Sequence, residues 1–161
     1  MTDADADARK VSELAKDIRI AMLTTLDADG RFISRPMAQQ EVEFDGDLWF
    51  FAEGDSREVA QITADPRVGV TLSSDSTWIS IAGSAAVVDD SAKAHELWNS
   101  WVEAWLPQGP DDPNVILIKV SAESAEYWDT PGGRVASVIS FAKSKLTGET
   151  YDGGENERVR L

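Results

Sequence analysis

Residues 18–53 read IRIAMLTTLDADGRFISRPMAQQEVEFDGDLWFFAE, and this stretch decides the fold. Three strand-like runs are separated by tight-turn signals. Residues 21–26 are apolar and β-branched. DADG at 27–30 and Asp45-Gly46 carry the residue types of hairpin turns, in which glycine supplies the positive φ. Pro36 lacks an N–H, so the second run reads as an edge strand or a bulged one. The third run, DLWFFAE, is aromatic and apolar.

Working outward, residues 7–16 place Ala8, Val11, Leu14 and Ala15 on one face of a short amphipathic helix. Residues 55–64 read as a second short helix, ended by Asp65-Pro66 because the residue before proline avoids the helical region. RVGVTLS (67–73) is a fourth strand. TWISIAGSAAVV (77–88) is a fifth, with Gly83 marking a bulge or a close approach. DSAKAHELWNSWVEAWL (90–106) reads as one long helix from Asp90 or Ser91, closed by Pro107. NVILIKVSAESAEYWD (114–129) is a sixth strand with its continuation. PGG at 131–133 breaks the chain, a weak helix is expected over 136–145, and 146–161 reads as a polar tail. Residues 1–7 read as a flexible lead. No repeat, low-complexity tract or linker divides residues 1–161, which read as a single domain. Strands outnumber helices and come as hairpins, so the class is mainly β (α+β), an antiparallel barrel or meander with decorating helices.

The net charge is −14 and the pI about 4.3. Such a surface repels phosphate backbones, so neither nucleic acid nor an anionic membrane surface is an expected partner. No apolar run approaches the roughly 20 residues of a membrane span, and the acidic start lacks the apolar core of a secretory signal. Cysteine is absent, which excludes disulfides and suits a cytoplasmic protein. Neither common nucleotide-binding glycine loop is present, nor metal-ligand spacing.

The GDSRE stretch after the third strand raises the question of an anion. Asp55 as N-cap and Glu58 three residues on would form a capping box. That accounts for Asp55 and Glu58 but not for Ser56 and Arg57, which stand where free N–H groups and the helix dipole favour an anion. A bare cap and an anion site both remain open on the local pattern. Arg35 is either a solvated strand residue or a ligand contact whose planar fork suits phosphate or a ring oxygen. His95, at helical spacing with Trp98, Trp101 and Trp105, reads as packing or a helix surface rather than catalysis, since no nucleophile accompanies it, and the tryptophan stripe reads as core or subunit interface rather than a ligand box.

The order of LTTLDADGRFISRPM, DGDLWFFAEGDSREVAQITADPRVGV, WISIAGSAAVV, LWNSWVEAWLPQGPDDPNVILIKV and AEYWD resembles the pyridoxamine-phosphate-oxidase-like flavoproteins, within them the bacterial general stress proteins. The resemblance covers roughly 11–129 and extends more weakly through 146–161. It implies an FMN-binding split barrel, a homodimer, and FMN at the subunit interface. By position, Arg35, Pro36 and Met37 would lie along the flavin ring. Phe50, Phe51 and Ala52, with Ser56, Arg57 and Glu58, would approach the ribityl phosphate, and Trp78 would sit at the other edge. Trp128 matches a recurring tryptophan without an assigned contact. The family usually has threonine at the position of Ala52 and lysine at that of Glu58. The implied function is a flavin-dependent oxidoreductase; the alternatives are a non-catalytic flavin carrier or buffer, a cofactor-free dimeric stress protein, or a user of FAD or deazaflavin F420.

Overall fold

The computed structural model describes residues 3–40, 46–130 and 155–161. Seven strands form one antiparallel sheet: β1 (Ile20–Leu26), β2 (Phe32–Ala38), β3 (Asp47–Glu53), β4 (Arg67–Ser73), β5 (Thr77–Val88), β6 (Val115–Asp129) and β7 (Glu155–Arg160). Four helices decorate it: α1 (Asp3–Ala15), α2 (Arg57–Ala64), α3 (Ser91–Leu97) and α4 (Ser100–Trp105). The hydrogen-bonded order is β2-β1-β4-β5-β6-β3, with β7 also on β6. Gln39 bridges to Phe50, and the Gln40 N–H donates to Trp49 O at 3.1 Å, so the two ends of this order meet and the sheet curls into a barrel. This is the expected split-barrel class.

The long strand β6 organises the sheet. One edge pairs with β5 along nearly its whole length; the other pairs with β3 over residues 115–121 and with β7 over residues 124–129. Where the second edge changes partner, the β5–β6 register slips between Ala82 and Gly83. A Cβ on Gly83 would lie 2.2 Å from Ser121 O. The extra residue of this bulge is Glu123 on β6; Gly83 faces it at the close approach, and its absent side chain lets the two backbones meet.

Pro36 sits on β2, the end strand of the order, where a missing N–H costs no central ladder bond. The inner faces of the strands build the core around Leu23, Phe50, Val70, Ile79, Ile81, Ile118 and Val120, all at most 2% exposed. The start of β6 is buried on both faces, because Leu117 packs under α3 and Val115 under α4. That explains the unbroken apolar run VILI.

Three expectations need correction. Residues 90–106 are not one helix. Trp98 is extended (ψ 135°), and Asn99 starts α4 by accepting from the N–H groups of Trp101 and Val102. Asparagine is a strong N-cap, and here its side-chain amide also donates to Gln40 Oε1 at 2.9 Å, so the break is held from both sides. The tryptophan stripe is consequently divided. Trp98 packs edge-on against Phe51 at 5.3 Å, whereas Trp101 and Trp105 are 62% and 78% exposed. The expected polar tail ends in β7, which buries Val159 against α1 and the core. Helix α1 already begins at Asp3, within the expected flexible lead, and buries Val11 and Ala15 as its periodicity requires. The weak helix over 136–145 lies outside the described residues. No helix among the described residues is long and apolar enough to cross a membrane.

Two outcomes follow. Gly83→Ala should lower stability by about 1–3 kcal/mol in urea denaturation, because the new methyl group meets backbone that cannot yield. Asn99→Ala should cost about 0.5–2 kcal/mol through loss of the α4 cap, read the same way.

Candidate functional site

The junction of β3 and α2 is held from outside by Asn114, the residue before β6. The Gly54 N–H donates to Asn114 O at 2.7 Å and the Asp55 N–H to Asn114 Oδ1 at 3.2 Å, while Asn114 Nδ2 donates to Asp55 Oδ1 at 3.1 Å. Asp55 is thereby turned toward the β6 side. The expected capping box of Asp55 and Glu58 does not form. Ser56 is the N-cap instead (φ −73°, ψ 159°), and its side chain caps nothing. The first backbone bond into the helix runs from Ala60 N–H to Ser56 O. The N–H groups of Arg57, Glu58 and Val59 thus have no intrahelical acceptor.

Ser56 Oγ is buried, and it is the one buried side-chain polar atom among the described residues without a hydrogen-bond partner. A hydroxyl in that state costs about 1–3 kcal/mol unless a partner arrives from outside the chain. It lies at the positive end of the α2 dipole, where an oxyanion would satisfy both the hydroxyl and the free N–H groups.

Arg35 reaches this site from β2. It faces inward beside its cross-strand partner Leu23, and its guanidinium meets α2. Nη1 donates to Thr25 Oγ1 at 2.8 Å and to Leu23 O at 3.4 Å, and Nη2 donates to Gln61 Oε1 at 2.9 Å. Thr25 Oγ1, 1% exposed, donates in turn to Gln61 Oε1 at 2.6 Å. Burial holds the Arg35 guanidinium below its ordinary pKa; Glu58 opposes that shift and Arg57 adds to it. Arg35, Arg57 and Glu58 therefore share one electrostatic neighbourhood around the α2 start. Glu58 lies one turn before Gln61 on the helix, which turns it toward the same arginine.

The other expected contacts divide. Phe50 and Ala52 point into the core at 0% and 5% exposure, so only their backbone could touch a ligand. Phe51 lies on the opposite face of β3 against Trp98. Pro36 points outward and Met37 packs on the core. Trp78 is not brought to the α2 start within one chain. It lies three strands from β2, roughly 14 Å by strand spacing, on the outer face. There it is 46% exposed and opposite Trp128, 40% exposed. Thr25, Gln61 and Asn114 were not singled out from the sequence. Their signals were faint: an inward strand threonine, a glutamine one turn after the SRE triplet, and an asparagine closing PDDPN.

The sequence and the fold have known relatives. Protein bli-3 of Neurospora crassa is 27% identical over 156 residues, covering 88% of this chain and 75% of that one. A structure of a candidate general stress protein 26 from Jannaschia sp. CCS1 superposes with a TM-score of 0.79 at 28% identity, covering 97% of this chain and 99% of that one. The general stress FMN/FAD binding protein of Xanthomonas citri superposes with a TM-score of 0.66 at 33% identity, covering 78% and 89%. Residues 6–152 match the family described as pyridoxamine 5'-phosphate oxidase like, so the barrel, its order of strands and its relatives converge: the chain belongs to that family.

Proposed function

We propose that this chain is a flavin-binding protein of the general stress type, that FMN is its flavin, and that its working form is a cytoplasmic homodimer. The observation that carries the reading is the buried, unpartnered Ser56 Oγ at a helix start flanked by Arg57 and Arg35. Ser56, Arg57 and the first N–H groups of α2 would hold the phosphate, with Arg35 behind them. Pro36, Met37 and the backbone of Phe50 to Ala52 would line the approach of the ring. When bound, a flavin supplies hydride or electron transfer at its ring. The chain's part is to bind and orient it.

Glu58 bears directly on this fit. A like-charge pair at ~4 Å and an effective dielectric near 20 repels by about 4 kcal/mol. The half-buried Glu58 instead faces the electrostatic neighbourhood of Arg35, which offsets it. Arg57→Ala should weaken FMN binding, and Glu58→Lys should tighten it most at low salt. With no capping box to lose, Glu58→Lys should cost only about 0.3–1 kcal/mol of stability, from a cation at a helix N-terminus. Calorimetric titration with FMN and with riboflavin separates the cases. Equal changes for both ligands, or none, would mean that no phosphate is held there.

The outer sheet face supports the dimer. Ile20, Met22, Phe32, Trp78 and Trp128 are 40–79% exposed and share this face by strand register. Monomeric proteins rarely leave such a patch open. Trp78 stands on this face, so a second copy laid there would cover it and Trp128. Light scattering should return a dimer mass at micromolar concentration, and Trp128→Glu should shift it toward monomer with the fold retained. A wild-type monomer would sink this assembly.

A further inference from the structure

The hydrogen bonds of Arg35 differ in kind from those of the other described arginines with ion pairs. Arg67 pairs with Asp65 at 2.6 Å, Arg158 with Glu126 at 3.1 Å and Arg31 with Asp29 at 3.8 Å. Acidic residues outnumber basic ones 29 to 15, so a carboxylate is the common partner. Arg35 instead donates to a hydroxyl, an amide oxygen and a backbone carbonyl, all neutral. The three acceptors fix its plane because Thr25 Oγ1 also donates to the same Gln61 Oε1, closing a ring of bonds. They use three of the guanidinium's five N–H donors, which leaves two for something else.

We infer that Gln61 and Thr25 form a neutral cradle that positions Arg35 beside the α2 start and keeps its full positive charge available to an anionic ligand, with Gln61 the residue that sets that charge. A carboxylate at position 61 would hold the guanidinium equally well and cancel it. The local balance makes this matter. Arg35 and Arg57 stand against Glu58, a margin of one positive charge in a chain whose net charge is −14. Replacing the amide by a carboxylate removes that margin. Gln61 is thus a positioning residue: it acts on the ligand through Arg35.

The inference rests on the anion-binding reading above, and its test keeps the two apart. The full chain is titrated with FMN and with riboflavin as wild type, Q61E and Q61L. Q61E should weaken FMN about tenfold or more at low salt, leave riboflavin within about twofold, and keep the wild-type thermal midpoint. The loss should shrink as salt rises. Unchanged FMN affinity in Q61E, or an equal loss of riboflavin, overturns the charge-setting role. In the ligand-free protein, nitrogen-15 spectra should show separate Arg35 Nη signals in the wild type, from restricted rotation, and merged signals in Q61L. Averaged signals in the wild type overturn the cradle. If wild type shows no preference for FMN over riboflavin, the phosphate reading fails, and the cradle is judged by that spectrum alone.

Discussion

The structure depends on β6 satisfying both of its edges at once. Its first half takes β3 and its second half β7 on one side, while β5 runs along the other. A strand of this length can serve three partners only if the ladder bends where the partners change. The extra residue Glu123 marks that point and Gly83 makes room for it, since any larger residue would drive a Cβ into Ser121 O. The Ala122 N–H, freed at the same point, donates to Gly46 O at 2.8 Å, so the changeover leaves that donor satisfied.

The site inherits its position from this frame. Asn114 stands immediately before β6 and bonds the Gly54–Asp55 turn, so the end of β3 is tied to the start of its neighbour. Helix α2 is then laid across β1 and β5 by Val59 and Ile62. Only in that pose does Gln61 meet Thr25 on β1 and Arg35 on β2. The β1–β2 hairpin and the later helix α2 contribute one ring of hydrogen bonds, and a one-residue slip of β2 would turn Arg35 outward.

Electrostatics sharpen the picture. The surface is strongly acidic, and ion pairs elsewhere consume arginine charge at exposed positions where each is worth little. Beside α2 the chain does the reverse. It half-buries a guanidinium on neutral acceptors, leaves a serine hydroxyl without a partner, and presents a helix dipole. Together these features would favour an anion there, which the proposed binding of a flavin phosphate requires in a protein of this net charge.

Much of the barrel could be read directly. The boundaries of RVGVTLS and TWISIAGSAAVV match β4 and β5, because turn residues and period-two alternation are local signals. Pro36 at the edge and Gly83 at the bulge followed from missing groups, an N–H and a Cβ, whose consequences do not depend on context. The split of residues 90–106 was less legible, since helix periodicity runs through Asn99, which can be interior or cap, and its contact with Gln40, far away in the chain, is not written locally. The polar residues of β7 concealed a strand that needs only Val159 for the core, the rest facing water. By itself the sequence determined the class, the hairpins and the presence of Ser56, Arg57 and Glu58 at a helix start. The tertiary structure alone decided that Ser56 and not Asp55 begins the helix, that Arg35 rests on Thr25 and Gln61, and that Trp78 lies away from them. Those outcomes hang on hydrogen bonds between residues many positions apart, and such bonds leave no period in the chain to read.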